Sequence, residues 1–213
     1  MSKAVIILAG GLSKRFGQDK CIKELGGKAL VLKVLDRVLN VADERLIVVG
    51  SEDQLKALGH VPEARVVVDR YVDHSPLVGA VTGFGAVSAE CALLLPCDAA
   101  FVSPETSALL LDLCTGVNAV IPRWPDGKIE PLQAAYQVKS AADAAKTALK
   151  EGKHDMMGMI SHLRQIRYVS TLVLQQYDEK LTTFLNINTI DDWKRAEAML
   201  RKSQSHSFRR RPR

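Results

Sequence analysis

Short apolar runs recur along the chain, and they restrict its possible folds more than any other feature of the sequence. The runs are rich in β-branched residues or leucine, and they span 4–8, 46–49, 66–68, 92–95 and 119–121. Continuous apolar runs of this length are typical of central strands covered on both faces, and the intervals between them are long enough for crossover helices. The pattern therefore predicts a three-layer α/β fold with a mostly parallel, twisted sheet and helices on both faces.

The intervals between the runs carry helix signals. Ser103 and Pro104 provide an N-cap and a first-turn proline, and Thr189 to Asp192 has the capping-box pattern. Elsewhere the spacing of apolar residues distinguishes helix from strand. The predicted helices span 30–39, 108–113, 141–149, 154–163 and 193–200, and further strands are predicted over 131–136 and 183–188.

The basic charge of the chain is concentrated at its C-terminus. The formal net charge is +5, but six basic residues follow Leu200 without any acid, which leaves −1 for the remainder. No repeat or linker divides that remainder, so we expect one domain over 1–200 and a basic, disordered tail over 201–213. Such a tail can bind nucleic acid or an acidic membrane. A solvated terminus explains it more simply, and we expect neither partner.

Cysteine spacing and hydropathy indicate the compartment. The cysteines form no CxxC pair and no zinc-type cluster with histidine, and Cys91 and Cys97 flank an apolar run where free thiols commonly pack in the core. No signal-peptide pattern begins the sequence, and no apolar stretch approaches the ~18 residues that a membrane span requires. We therefore expect a cytoplasmic protein with reduced thiols.

A glycine-rich segment with cations, LAGGLSKRFGQDK at 8–20, follows the first predicted strand directly. It fits neither the GxxxxGK(S/T) loop of ATPases nor the GxGxxG loop of dinucleotide-binding proteins. Its glycines allow backbone N–H groups to approach phosphate oxygens. Arg15 can grip phosphate with two hydrogen bonds, and Lys20 can supply a movable point charge. The segment therefore predicts a triphosphate site rather than a solvated glycine turn.

Two carboxylates follow predicted strands at the point where each strand ends. Asp98 comes after the strand at 92–95, and Asp69 comes after the strand at 66–68. Open α/β sheets bind ligands at the carboxyl ends of their strands, and Mg²⁺ is commonly held by one or two carboxylates and the phosphates of its nucleotide. Asp98 is therefore the predicted Mg²⁺ ligand, with a helix N-cap as the alternative. Asp73 competes with Asp69 for the second position.

Two asparagines provide a possible uncharged contact. Asn186 and Asn188 are two residues apart in a predicted strand, so both amides should face one side. Amides can hold phosphate oxygens or metal-bound water without adding charge. The alternative is that both are turn residues before a cap at Thr189.

The segment GGLSKRFGQDK resembles the signature GGxSxRxGxDK of the molybdenum cofactor guanylyltransferases, a family of nucleotidyltransferases. The resemblance continues in chain order through SPLVG at 75–79, LPCD at 95–98, EPL at 130–132 and NINTIDD at 186–192. It implies an enzyme that transfers GMP from GTP to the terminal phosphate of molybdopterin, with Mg²⁺ as cofactor and release of pyrophosphate. It also implies molybdoenzymes or other cofactor-biosynthesis proteins as partners.

The resemblance assigns roles to individual residues. It implies that Lys20, Arg15 and Asp98 are catalytic, that Asp98 binds the metal, and that Asn186 and Asn188 lie on the molybdopterin side. A turn over 76–79 should border the base. The residues implied to bind the nucleotide are Leu8, Ala9, Gly10, Gly11, Lys20, Asp69, Pro76, Gly79 and Asp98.

One departure from the family pattern and two alternative functions remain open. Gly50 and Ser51 stand where the family often has an asparagine, so that base or ribose contact has no counterpart. The alternatives are a transferase of the same fold that uses CTP or another phosphorylated acceptor, and a nucleotide-binding protein without turnover. Gly10 and Gly11 resemble the guanine-using loop more than the Ala-Gly loop of cytidylyl relatives, which favours GTP.

Overall fold

The computed structural model of the chain describes residues 1–10, 19–69, 71 and 75–209, with side chains through residue 202. Gly11, Arg15 and Asp73, to which the sequence assigns roles, lie outside the described residues. The strands are β1 (Lys3–Leu8), β2 (Glu24–Leu25), β3 (Lys28–Ala29), β4 (Glu44–Val49), β5 (Arg65–Val68), β6 (Cys91–Pro96), β7 (Ala119–Arg123), β8 (Ala134–Gln137) and β9 (Ile166–Ser170). The helices are α1 (Leu30–Val38), α2 (Glu52–Leu58), α3 (Pro76–Ala86), α4 (Pro104–Asp112), α5 (Val138–Lys150), α6 (Met156–Ile160), α7 (Thr171–Leu174) and α8 (Ile190–Arg209), with a 3-10 helix at Thr182–Phe184.

One sheet in the order β5-β4-β1-β6-β8-β7-β9 forms the centre of the molecule. Neighbouring strands are parallel except at β8, which is antiparallel to both β6 and β7. Alternate side chains of β1 enter two cores. Ala4 and Ile6 pack on one face with α3, α5 and α6, whereas Val5 and Ile7 pack on the other with α1 and α4. The predicted three-layer, mostly parallel α/β fold is therefore confirmed.

Strand β8 begins at Ala134 rather than at the predicted residue 131. Pro131 has no N–H to donate to a strand ladder, and its carbonyl instead accepts a hydrogen bond from the Tyr136 hydroxyl at 2.7 Å. The backbone turns before the strand, where the Gln133 N–H donates to the Glu130 carbonyl at 3.3 Å. This turn places the buried Gln133 side chain at the edge of the sheet where β6 ends.

The prediction of a strand over 183–188 is wrong. Thr182–Phe184 forms a 3-10 helix that begins after Leu181, whose backbone is left-handed with φ 48°. The Asp178 carboxylate holds this turn, because it accepts hydrogen bonds from the Thr183 N–H at 2.7 Å and from the Thr183 hydroxyl at 2.8 Å. A side chain, not a neighbouring strand, is therefore the partner of this backbone.

The last helix, α8, begins at Ile190 rather than residue 193 and ends at Arg209 rather than residue 200. The predicted capping box is confirmed, since the Asp192 N–H donates to Thr189 Oγ1 at 3.1 Å and the Thr189 N–H donates to Asp192 Oδ2 at 2.9 Å. The division between domain and tail near residue 200 stays a prediction. Within the described part of the chain, no helix combines the length and apolar character needed to cross a membrane.

Candidate active site

Lys20, Asp98 and Asn188 meet at one edge of the sheet. The Lys20 Nζ lies 2.8 Å from Asp98 Oδ2 and 2.9 Å from Asn188 Oδ1, and Lys20 is only 8% exposed. The edge is shared because β1 and β6 are parallel neighbours whose carboxyl ends coincide. The structure thus brings together three of the residues that the sequence singles out, although they are far apart along the chain.

Backbone hydrogen bonds hold the loop that carries Asp98. The Cys97 N–H donates to the Leu8 carbonyl at 3.0 Å, which joins this loop to the end of β1. On the other side, the Ile187 N–H donates to the Asp98 carbonyl at 3.2 Å. Ile187 is buried in a small apolar cluster with Trp193, so the segment around Asn188 is anchored close to Asp98.

The two carboxylate oxygens of Asp98 have different surroundings. Oδ2 faces Lys20, whereas Oδ1 is buried and accepts no hydrogen bond from any described residue. An unpaired buried acceptor costs about 1–3 kcal/mol, a cost that a bound cation would remove. A hard oxygen in this position fits Mg²⁺. No group of three or more His, Cys, Asp or Glu side chains among the described residues could hold a metal, so nucleotide and water oxygens would have to complete the coordination.

Two glycine backbones touch beside the end of β1. A Cβ added at Gly10 would lie 2.9 Å from the Gly50 nitrogen, closer than real Cβ atoms approach. Gly50 in turn lies just after β4, and the following Ser51 caps α2 by accepting a hydrogen bond from the Gln54 N–H at 3.1 Å. The departure from the family pattern at Gly50 and Ser51 therefore has a structural reason, namely close backbone contact followed by a helix cap.

Asp69 follows β5 at the same edge of the sheet and is buried. Its Oδ1 accepts hydrogen bonds from the Thr82 hydroxyl on α3 at 2.8 Å and from the Tyr71 N–H at 3.3 Å. The side chain is thus held against α3 at the end of its strand. Because the competing Asp73 lies outside the described residues, the choice between the two aspartates stays a prediction.

The predicted turn over 76–79 is wrong, because these residues form the first turn of α3. Ser75 caps the helix by accepting a hydrogen bond from the Val78 N–H at 3.3 Å, and Pro76 occupies a first-turn position where its missing N–H is harmless. Gly79 is buried, and a Cβ added there would be in ordinary contact with Leu8 Cδ2 at 3.4 Å. Nucleotide contacts at Pro76 and Gly79 stay predictions.

Asn186 and Asn188 have different partners. Asn188 accepts a hydrogen bond from Lys20, whereas Asn186 Oδ1 accepts one from the Gln133 Nε2 at 2.8 Å. The segment lacks a strand pleat, so the argument that placed both amides on one face does not apply. Gln133 is buried and thereby orients the Asn186 amide at the same edge of the sheet.

Two thiols next to the site remain protonated near pH 7. Burial, reinforced by the Asp19 carboxylate, raises the pKa of Cys21 to about 11. Burial and the adjacent Asp98 also raise the pKa of Cys97 well above its ordinary value. Protonated thiols are poor nucleophiles and poor metal ligands. Neither thiol is therefore suited to act as a nucleophile or as a metal ligand.

The sequence analysis missed Gln54, Gln133 and Thr82, whose side chains hold other site residues in place. Gln54 contacts Asp19, Gln133 contacts Asn186, and Thr82 contacts Asp69. Gln133 directly follows the EPL motif, which could have drawn attention to it. Gln54 lies in a short helix with exposed charged residues and Thr82 in a helix that is mostly buried, and no local pattern distinguishes either residue.

The chain is similar to known proteins over most of its length. The family model described as MobA-like NTP transferase domain matches residues 5–166. The protein of Methanosarcina mazei named "Probable molybdenum cofactor guanylyltransferase" is 31% identical over 197 residues, which cover 89% of this chain and 88% of that protein.

Solved structures share the fold. The crystal structure of molybdopterin-guanine dinucleotide biosynthesis protein A from Archaeoglobus fulgidus has a TM-score of 0.79 at 29% identity, and the match covers 93% of this chain and 99% of that one. The 2-C-methyl-D-erythritol 4-phosphate cytidylyltransferase of Thermus thermophilus has a TM-score of 0.69 at 19% identity, with 94% and 100% covered, and is similar in fold alone. The family match spans most of the chain and includes β1 and β6, so the resemblance stated from the motifs is confirmed, and the chain belongs to the MobA-like NTP transferase family.

Proposed function

We propose that the protein transfers the GMP part of GTP to the terminal phosphate of molybdopterin, which forms the guanine dinucleotide form of the molybdenum cofactor and releases pyrophosphate. One observation carries the proposal. Where β1 and β6 end, Asp98 has one oxygen paired with the buried Lys20 and a second buried oxygen with no hydrogen-bond partner among the residues that the structure describes. The names of the Methanosarcina mazei and Archaeoglobus fulgidus proteins support the choice of substrates.

The nucleotide side of the site lies around the end of β1. Leu8, Ala9 and Gly10 supply main-chain groups there, and Gly11 and Arg15 follow in the sequence. An ammonium group has three N–H donors, of which Lys20 directs two at Asp98 and Asn188. The third can reach a phosphate oxygen of GTP. Asp69, Pro76 and Gly79 extend this side of the site toward the base.

Asp98 would hold Mg²⁺ through Oδ1, together with phosphate oxygens and water. When bound, the cation would offset negative charge on the α-phosphoryl group and on the departing pyrophosphate. Lys20 stabilises the same charge from the Oδ2 side. Its ammonium is held in a largely buried position, where electrostatic interactions are stronger than in bulk water.

The acceptor side is assigned to Asn186 and Asn188. The terminal phosphate of molybdopterin is a monoester with a second pKa of about 6, so it is largely dianionic at pH 7 and needs no general base. The protein mainly has to bring two anions together and keep them oriented. Amides suit this task because they can donate to phosphate oxygens without a formal charge of their own.

The proposal is tested with purified protein, Mg²⁺, molybdopterin and each ribonucleoside triphosphate in turn, with pyrophosphate and the dinucleotide product as readouts. We expect turnover with GTP and at least tenfold lower kcat/KM with CTP, a discrimination of about 1.4 kcal/mol. Lys20→Ala should lower kcat about 100-fold, as removal of one transition-state donor does. Lys146→Ala, on the exposed face of α5, is the matched control and should retain wild-type turnover.

Three results would contradict the proposal. Turnover with CTP in preference to GTP would assign a cytidylyl transfer instead. Binding of GTP without any pyrophosphate release in the presence of molybdopterin would leave a nucleotide-binding protein without turnover. Wild-type kcat in Lys20→Ala would remove the assigned role of the lysine.

A further inference from the structure

Gln54 is a buried polar side chain that joins two segments of the active site. It lies on α2, away from the family motifs, and is only 4% exposed. Its Oε1 accepts a hydrogen bond from the Gly50 N–H at 2.6 Å, and its Nε2 donates to Asp19 Oδ1 at 2.9 Å. The Gly50 N–H can only donate and a carboxylate can only accept, so these partners fix the amide in one orientation.

The two partners of Gln54 lie at the two ends of the glycine-rich segment, Gly50 as a contact of its first part and Asp19 as a member of its last part. Gly50 is in close backbone contact with Gly10, where the segment leaves β1. Asp19 directly precedes Lys20, where the segment arrives at Asp98. The Asp19 carbonyl also accepts a hydrogen bond from the Lys23 N–H at 3.2 Å, so the carboxylate extends from a structured turn.

We infer that Gln54 is a positioning residue for the nucleotidyl transfer, because it ties Asp19, and with it Lys20, to the Gly10–Gly50 contact. The inference rests on the proposed function, since it concerns how the same site aligns the lysine with the triphosphate. Gln54 does not itself touch the reacting atoms. Its effect passes through the placement of the Lys20 ammonium, which Asp98 and Asn188 alone locate from the other side.

The Gln54 amide accepts one hydrogen bond and donates the other, and substitutions that change these directions test its role. Gln54→Glu keeps an acceptor for the Gly50 N–H but turns a second carboxylate oxygen toward Asp19. Asp19→Asn alone keeps an acceptor for Gln54, and in the double variant the new amide can donate to the new carboxylate. We expect kcat/KM for GTP to fall about 100-fold in Gln54→Glu and about tenfold in Gln54→Met, which lacks both polar groups. The larger loss reflects repulsion between the new carboxylate of Gln54→Glu and the carboxylate of Asp19. The smaller loss reflects the missing hydrogen bonds in Gln54→Met.

The double variant Asp19→Asn/Gln54→Glu should recover to within about threefold of Asp19→Asn. The loss in Gln54→Met should fall mainly on kcat, because misplacement of Lys20 weakens the transition state more than ground-state binding. The assays are run at pH 8.5, because at lower pH the two carboxylates of Gln54→Glu could share a proton and the repulsion between them would be lost. The dissociation constant of a fluorescent GTP analogue provides a second readout that does not depend on turnover.

A control variant separates the positioning role of Gln54 from a general destabilisation of α2. Leu58→Ala removes a partly buried side chain at the far end of the same helix and should lower Tm as much as Gln54→Met does while kcat/KM stays within threefold of wild type. Wild-type kcat/KM in Gln54→Met, or a double variant as impaired as Gln54→Glu, would overturn the positioning role. An inactive wild-type protein in the same assay would instead overturn the proposed function.

Discussion

At the scale of single residues, the candidate site depends on one carboxylate with two unlike oxygens. The Asp98 Oδ2 and the Lys20 ammonium neutralise each other at 2.8 Å, and both side chains are largely buried. Breaking such a pair from one side leaves an uncompensated buried charge, which is strongly destabilising. Oδ1 has no such partner among the described residues, so it is the oxygen that we expect to take the metal.

Asp98→Asn tests the metal-binding role of this carboxylate, and it also removes the charge that pairs with Lys20. The amide loses the negative charge that attracts a divalent cation, and it places an N–H₂ group against either the metal or the lysine. We expect Mn²⁺, used as a probe for Mg²⁺, to bind the GTP complex at least about tenfold more weakly, since even loss of an outer-shell partner costs that much. The measurement is a calorimetric titration of Mn²⁺, with Mn²⁺ titrated into GTP alone as the blank.

Cys97→Ser is the neighbouring control for that change. Its raised pKa keeps the thiol neutral, so replacement by a hydroxyl removes no charge from the site. Metal binding and turnover should stay close to wild type. Equal loss of Mn²⁺ binding in Cys97→Ser and Asp98→Asn would show that the loop after β6, not the carboxylate, is responsible.

The sequence predicts the roles of some site residues better than those of others. Lys20 and Asp98 are marked locally, the first by a dense motif and the second by its place after an apolar strand. Their pairing is a consequence of the parallel neighbours β1 and β6; the strand pattern predicts a mostly parallel sheet but not which strands are adjacent. Gln54 and Gln133 act across 35 and 53 residues of sequence, and nothing in their immediate neighbourhood reveals a partner so far away.

At the scale of elements, the segment before α8 is organised by a buried carboxylate rather than by a sheet. Asp178 receives hydrogen bonds from Thr182 and Thr183, and the Thr183 hydroxyl also accepts one from the Ser103 N–H at the start of α4. Burial opposes the charged form, but these hydrogen bonds outweigh it and lower the pKa of Asp178 below its ordinary value. The carboxylate thus fixes the approach of the chain toward Asn186.

Asp178→Asn should reveal this contribution through its pH dependence. A carboxyl group with a lowered folded-state pKa stabilises the fold above its unfolded pKa of about 3.9, and this stabilisation is lost as the pH falls through the folded value. We expect the variant to be less stable by about 2 kcal/mol at pH 7, from loss of hydrogen bonds to a charged group. The difference in Tm between wild type and variant should shrink between about pH 4 and pH 2.

Thermal unfolding followed by circular dichroism at a series of pH values provides the measurement. Asp36→Asn is the control. Asp36 lies on α1 and forms an exposed ion pair with Lys28, so the Tm of this variant should differ little from that of wild type at every pH. A constant gap between wild type and Asp178→Asn from pH 7 down to pH 2 would mean that the charge of Asp178 does not hold the turn.

Elements were predicted best where their own sequence determines them. The central strands and the cap at Ser103 appear close to their predicted bounds, because apolar runs and N-caps are local signals. The errors of element type, as opposed to bounds, fall at 76–79 and 183–188. In the first, Ser75 and Pro76 start a helix, and a proline followed closely by a glycine is also typical of a turn. In the second, alternating residues imitate a strand, and the decisive partner, Asp178, lies outside the alternating segment.

At the scale of the whole molecule, a small third core brings together residues from early and late in the chain. Leu25, Leu30, Ile187 and Trp193 join the β2-β3 hairpin, α1 and α8, and Leu200 packs against this cluster. Lys20 precedes Leu25 by five residues and Asn188 directly follows Ile187, so this core joins the two segments that meet in the Lys20–Asn188 hydrogen bond. The sequence alone could not predict that these segments pack together, because apolar periodicity shows that one face of an element is buried but does not identify the element that covers it.

Removal of residues 203–213 tests where the functional molecule ends. The deletion removes four arginines and lowers the formal charge from +5 to +1, but it keeps Leu200 and its contact with the third core. We expect Tm to change by less than about 2 °C, a shift that corresponds to no more than about 0.5–1 kcal/mol for a chain of this size. The kcat/KM for GTP should stay within about twofold of wild type at 0.15 M salt, where charges beyond about 8 Å are screened.

The same deletion separates a catalytic domain from a nucleic-acid-binding one. If the arginines bind RNA, affinity for a single-stranded oligonucleotide should fall on deletion and should depend steeply on salt in the full chain, as phosphate contacts require. We expect instead weak binding in both forms and equal dinucleotide synthesis. A tenfold loss of synthesis in the shortened chain, with Tm unchanged, would place the basic residues in substrate capture, because a cationic segment can concentrate triphosphate and pterin phosphate near the sheet edge.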